Sequence, residues 1–378
     1  MTRTIIRTFF PLAAFLASCS PSVAGDSPKP AVTETKGAFA VTPLATLDAP
    51  WAIAVLPRGG VLVTEKAGKL KLVDSTVKEV AGVPAVAFGG QGGLGDVVLA
   101  PDYAKSGMIY LSWAEAGDGD TRGAAIGRAK LVLGEAPRLE GLEVIWRQNP
   151  KVTGRGHYSH RIAFSPDGKL MFVASGDRQK MDPAQDLTGN LGKVLRLLPD
   201  GKPAPGNPFA DKGGVSAEVW SYGHRNILGL AFDPQGRLWD LEHGPAGGDE
   251  LNLVEPGKNY GWPVVSEGDH YDGKDIPPHS TRPDMAAPNL VWTPVIAPGD
   301  MTFYSGKAFR DWRGQLLIAG MASKGLVRVS INGTKATEVE RLPLDKRIRD
   351  VAEAADGSLL VIEDREGGRL LKLTPAKR

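Results

Sequence analysis

Six times along this chain a turn ending in glycine is followed within two residues by an apolar run of four to six residues. The segments are PRGGVLVTE from Pro57, SGMIYLSW from Ser106, SPDGKLMFVASGD from Ser165, DPQGRLWDLEHG from Asp233, DWRGQLLIAG from Asp311 and AADGSLLVIED from Ala355. Their glycines, Gly60, Gly107, Gly168, Gly236, Gly314 and Gly357, recur at spacings of 43 to 78 residues. Blade-sized units of this kind bury their faces by stacking around an axis. The pattern therefore predicts an all-β fold, a six-bladed β-propeller with four-stranded antiparallel blades. A pair of β-sandwiches is the architecture that competes with it. Unequal spacing means loops of different length, and long ordered loops carry binding residues. The longest interval contains residues 266–290, a polar strandless insertion expected to cover the channel mouth.

Composition supports many tight turns over long helices, with Gly 47 and Pro 29 among 378 residues. The 45 basic and 43 acidic residues are interleaved without basic blocks and leave a net charge of +2. That distribution gives no electrostatic footprint for nucleic acid.

The N-terminus reads as an export signal over residues 1–18, with Arg3 and Arg7 ahead of an apolar run at 8–16 that is too short to span a bilayer. It ends in Leu16-Ala17-Ser18-Cys19, which resembles a bacterial lipobox. Cys19 is the only cysteine, so an internal disulfide is excluded and acylation is the better use of the thiol. Residues 19–38 are rich in Pro, Ser, Thr and Gly and read as a flexible tether, leaving 39–378 for the propeller. The expected location is the periplasmic side, lipid-anchored through Cys19. Ser20 in place of an aspartate after the cysteine points to the outer membrane.

Five polar clusters interrupt the strand pattern, and inner propeller strands would gather them around the central channel. In GGQGGLG from Gly89, Gln91 is the single amide able to bond a ligand. In GHYSHR from Gly156, strict strand alternation puts His157 and Arg161 on one face and His160 on the other, with a histidine as the general base. A third cluster, SYGHRNILGL from Ser221, carries Arg225 and Asn226. In DKRIRD from Asp345, Arg347 and Arg349 share a strand face and suit either a small polyanion or a local acid such as Asp350. The fifth, EHGPAGGDE from Glu242, combines carboxylates with a Gly-Pro turn that exposes carbonyls, the hard oxygen set that calcium takes.

These clusters, in this order, resemble the soluble quinoprotein sugar dehydrogenases, specifically the aldose sugar dehydrogenase branch that uses pyrroloquinoline quinone (PQQ). The similarity runs from about residue 44 to the C-terminus. It is carried by WSYGHRNILGLAFDPQGRLWDLEHGPAGGDELNLVEPGKNYGWP from Trp220, QGGLGDVVLAPDY from Gln91 and RIRDVAEAADGSLLVIED from Arg347. The resemblance implies PQQ in the mouth of a six-bladed propeller, with His157 as catalytic base. Arg225 and Asn226 would bind the quinone, Arg347 and Arg349 its carboxylates, and Gln91 and Arg161 would line the pocket. It implies Ca2+ on the carbonyls of Gly244 and Pro245 beside the cofactor, and a second calcium on Glu250 and the Tyr260 carbonyl.

Two departures stand out. The family's cofactor lysine lies in a Ser-Leu-Lys turn, whereas this chain reads GMASKG from Gly320, so Lys324 fits only in a shifted register. Ser159 and His160 stand where the family commonly has small residues, which narrows the pocket or adds a hydrogen-bonder. The implied reaction oxidises an aldose sugar at its anomeric carbon to a lactone. Hydride goes to PQQ with calcium as Lewis acid, and electrons leave to an external acceptor. A calcium-dependent propeller lactonase and a non-enzymatic carbohydrate-binding propeller are the other readings the residues allow.

Overall fold

The computed structural model describes Met1 and residues 34–376. Each of the six glycine turns joins the first and second strands of one four-stranded antiparallel sheet. The six glycines have φ between 67° and 88°, a conformation that side chains with a Cβ disfavour, so the repeated residue type follows from the repeated turn. The first strands are Pro50–Val55, Leu94–Leu99, Ser159–Phe164, Ile227–Phe232, Pro298–Phe303 and Ile348–Glu353. Each packs against the next, and the last packs against the first, closing a ring around the channel. The all-β, six-bladed expectation holds, and the β-sandwich alternative falls.

The sixth blade closes the ring through both ends of the described chain. Its strands Ile348–Glu353, Leu359–Glu363 and Glu366–Pro375 are completed by the N-terminal strand Phe39–Asp48. A short strand, Glu34–Lys36, pairs outside that one, so the propeller begins inside the segment predicted as a tether. The signal at 1–18, apart from Met1, and Cys19 lie outside the described residues.

The core lies between blades. Neighbouring blades share apolar clusters, such as Leu62, Leu72, Leu94 and Trp113 between the first two and Leu47, Val63, Ile362 and Leu370 between the last and the first. Burial on both faces explains why inner strands such as Ile227–Phe232 read as continuous apolar runs.

At the axis sits Arg161, fully buried, and it touches the inner strand of every other blade. Its Nε donates to Leu228 O at 2.8 Å, one Nη to Gly299 O at 2.7 Å and the other to Asp96 Oδ1 at 3.1 Å. Asp300 and Asp350 lie 3.4 and 3.5 Å from that second nitrogen, and the guanidinium stands 4.0 Å over the Trp51 ring. The carboxylates also tie strands: Asp350 Oδ2 accepts from Ile53 N and Asp96 Oδ2 from Ile162 N, each at 2.8 Å.

Candidate functional site

The starts of the six inner strands open on a cavity of about 270 Å³ at one end of the channel. Blade one contributes Trp51 and Lys66, blade two Gln91, and blade three His157 to His160. Blade four gives Arg225, Asn226, His243 and Tyr271, blade five Ala297 and Met321, and blade six Arg347 and Arg349. Tyr271 comes from the 266–290 insertion, which does reach the mouth, and its hydroxyl lies 3.4 Å from Arg225. Among the described residues, four cations and no carboxylate line this cavity.

Two of those cations are held from behind. Asp364 accepts from Arg347 Nε at 2.8 Å and from Arg349 at 2.9 and 2.7 Å. Burial pushes the Asp364 carboxyl up, but Arg349 and Arg347 outweigh it and hold the group below its usual range. The local acid the sequence offered for these arginines was Asp350, which instead belongs to the Arg161 cluster.

His157 is built into the wall by a dense set of bonds. Its Nδ1 lies 2.7 Å from Asp177 Oδ1, so Nδ1–H donates to the carboxylate and Nε2 is left as the basic nitrogen. Asp177 is fully buried and accepts from Trp262 Nε1 at 2.8 Å and from Gln179 N at 2.8 Å. The His157 amide donates to Gln91 Oε1 at 2.7 Å. Arg178, stacked on Tyr158, donates to the carbonyls of Gly154 and Gly156 and fixes the approach to the histidine.

Strand alternation fails at this point. The strand begins only at Ser159, and His157, Ser159 and His160 all have positive φ. The pairing slips between Ser159 and Ile162. The bulge turns His157 and His160 to the same cavity and sends Arg161 below it, so the reading of Arg161 as a pocket residue is corrected. His160 stacks on Trp51 and shares a 2.7 Å hydrogen bond with Ser112, in space that a Cβ on Gly95 would fill.

Burial, reinforced by Arg161, pushes the His160 imidazole down to about 3. Burial lowers His243 to about 3 as well, with its Nε2–H donating to Pro298 O at 2.7 Å. Neither is a useful proton acceptor near neutral pH.

Arg225 and Asn226 sit on a turn held by Glu242, whose Oε2 accepts from their amides at 2.6 and 3.2 Å. Arg225 donates to His243 O at 3.0 Å, while its Nε is buried with no partner among the described residues. Asn226 accepts from Ser159 Oγ at 3.3 Å.

Beside Arg225 lies a second, small cavity of about 10 Å³, room for one ion or water. Gly244, Pro245, Glu250 and Tyr260 all line it, together with Glu242. The two predicted calcium sets therefore converge on one cavity. Asp249 pins the Gly-Pro turn by accepting from Gly244 N at 3.0 Å and Ala297 N at 2.7 Å. Burial, then Glu242 and Glu267, push the Glu250 carboxyl well above its usual range. Asp240 Oδ2, 3.3 Å from His224 Nδ1, and Asn252 Oδ1 are buried acceptors that receive no hydrogen bond among the described residues, and they lie beside Glu242 in the same network. An oxygen-lined hole among mutually repelling carboxyls fits a hard divalent cation.

Lys324 does not reach the pocket; it is exposed on the turn before Gly325. The residues sequence reading missed are Lys66, which looks like part of a solvated Glu-Lys-Ala-Gly-Lys turn, and Asp177, the last residue of the SPDGKLMFVASGD repeat. A carboxylate two residues past a buried strand is the one signal that pointed to Asp177.

The fold and site define a class: a six-bladed propeller with a cation-rich pocket at the channel mouth, walled by a carboxylate-paired histidine. Residues 47–372 match the family described as Glucose / Sorbosone dehydrogenase, and the chain belongs to that family of sugar-oxidising oxidoreductases. It is 40% identical over 340 residues to aldose sugar dehydrogenase YliI of Escherichia coli (strain K12), covering 87% of this chain and 91% of that protein. The solved apo form of the E. coli aldose sugar dehydrogenase superposes with a TM-score of 0.84 at 38% identity, over 89% of this chain and all 100% of that one. The PQQ-bound aldose sugar dehydrogenase of Streptomyces coelicolor gives a TM-score of 0.72 at 30% identity, over 90% and 99% of the two chains.

Proposed function

We propose that this protein oxidises aldose sugars at the anomeric carbon to lactones, using PQQ and calcium, and passes electrons to an external acceptor. The observation that carries the reading is the set of four cations, Lys66, Arg225, Arg347 and Arg349, facing a cavity that no carboxylate lines among the described residues. Such a set suits a small polycarboxylate, and the relative from S. coelicolor is described with PQQ bound. When bound, PQQ supplies the two-electron acceptor chemistry that no side chain has. Arg347 and Arg349 would hold its carboxylates, and Arg225 and Asn226 the quinone edge. The carbonyls of Gly244 and Pro245, with Glu250 and the Tyr260 carbonyl, would hold calcium, whose chemistry there is Lewis-acid polarisation.

The chain's own part in the reaction is to position and to move a proton. His157 Nε2 faces the sugar and takes the anomeric hydroxyl proton as the C1–H bond gives up its hydrogen with two electrons. Asp177 keeps Nδ1 protonated and stabilises the imidazolium that forms.

Purified protein mixed with PQQ and calcium should reduce a dye in the presence of aldoses. Protein with calcium alone, or treated with a chelator before PQQ is added, should not. Sugar-independent dye reduction, or lactone hydrolysis with metal alone, would reject the quinoprotein reading in favour of a hydrolase.

We also propose that the chain is exported and anchored on the periplasmic side of the outer membrane through a lipid on Cys19. The support is the sequence Leu16-Ala17-Ser18-Cys19-Ser20. Two or more acyl chains give stable anchoring where a single chain is marginal. Wild type should fractionate with membranes and Cys19→Ala with the soluble periplasm; equal partition of the two would sink the assignment.

A further inference from the structure

Lys66 follows the second strand of blade one, Val61–Glu65, and its side chain enters the channel-mouth cavity. Its backbone is not that of a loose turn. Lys66 N donates to Ala49 O at 3.1 Å, and Lys66 O accepts from Leu94 N at 3.0 Å. A Cβ on Gly93, which has φ +153°, would overlap the Lys66 carbonyl, so that glycine is what lets blades one and two approach here. The lysine is thus delivered to the pocket by fixed backbone on both sides.

Its charge is poorly answered. Nζ has three protons, and among the described residues its one hydrogen-bond partner is the neutral carbonyl of Gly90 at 2.9 Å. Burial first, and then the Arg349 guanidinium, lower its pKa, while Asp364 acts in the opposite sense. Asp364 is already bonded to both Arg347 and Arg349. Three cations from blades one and six therefore line the pocket, and the one carboxylate behind them is bonded to Arg347 and Arg349 and not to Lys66. Half-buried like charges in this arrangement repel unless an anion lies among them.

We propose that Lys66 is a cofactor-binding residue, which with Arg347 and Arg349 forms a three-cation cradle for a carboxylate of the anionic cofactor. The inference rests on the PQQ reading above and adds a residue from the opposite side of the ring seam. A competing role would be structural, with Lys66 merely capping the Gly90 turn. That role predicts a loss of stability, whereas the binding role predicts a loss of anion affinity in a protein that still folds.

The test is equilibrium titration of PQQ into the calcium-loaded apoprotein, read by quenching of tryptophan fluorescence, with no turnover involved. Trp51 lines the pocket and Trp262 adjoins it, so both report occupancy. K66M should raise Kd by about 10- to 100-fold, the usual range for a lost charge-assisted bond. K66R should stay within about threefold of wild type, and K66M should lose part of the salt dependence of binding. Thermal unfolding of apo K66M near that of wild type excludes the capping role; if K66M does not fold, K66Q takes the same measurements. A K66M affinity within twofold of wild type, or equal losses in K66M and K66R, overturns the assignment while leaving the PQQ reading intact. Wild-type protein that binds no PQQ overturns both.

Discussion

Replacing Arg161 with alanine is expected to lower the unfolding free energy by about 3 to 5 kcal/mol, the range for breaking a buried ion pair from one side. The guanidinium is fully buried and bonds or packs against the inner strands of all five other blades. Its removal leaves three carboxyls, Asp96, Asp300 and Asp350, without the cation they face. Burial already pushes the Asp96 and Asp300 carboxyls up, and Arg161 is the group that opposes that rise.

In the variant these carboxyls would hold protons to still higher pH. A folded state that binds more protons than the unfolded one gains stability as pH falls. The deficit relative to wild type should therefore be largest at alkaline pH and narrow toward pH 5. Arg161→Lys keeps the charge but not the fork and should fall between the two. Urea unfolding midpoints at two pH values decide the matter; an alanine variant within about 1 kcal/mol of wild type at pH 8 would show that the hub is dispensable.

That hub also marks where sequence reasoning stopped. The propeller was legible because its strongest signal is local: one glycine per blade, needed for a positive φ at the same turn. Pairing between distant blades then follows from geometry. Arg161 was misplaced because alternation assumes an unbroken strand, and three residues of positive φ at 157, 159 and 160 break it just where the side chains matter. The departure of Ser159 and His160 from the family pattern was visible, but not that the bulge lets His160 share the cavity with His157.

Lys66 and Lys324 failed in opposite ways for one reason. Both sit in the turn between the second and third strands of a blade, and what separates them is place within the turn: Lys66, like Met321, comes first after its strand and lines the cavity, whereas Lys324 comes last and is exposed. The Gly244-Pro245 turn, by contrast, was legible because proline and glycine announce exposed carbonyls. Asp249, which pins it, reads in sequence as one more acid in the cluster.

His157→Ala should lower kcat by about 10²- to 10⁴-fold while PQQ and calcium still bind, the usual contribution of a positioned general base. The other histidines at the pocket are poorly suited to the role: burial holds His160 and His243 at about 3. Asp177→Asn tests the arrangement more sharply, because it leaves the histidine in place. The amide cannot stabilise an imidazolium and can present its own N–H to Nδ1, which selects the wrong tautomer. Its kcat should fall with little change in cofactor affinity, because the histidine stays in place and only its orientation and charge partner are lost.

His160→Ala, by comparison, should act mainly on KM or sugar preference through the space it opens beside Trp51. Near-normal turnover in both His157→Ala and Asp177→Asn would place the base elsewhere and detach the Asp177–His157 pair from the chemistry.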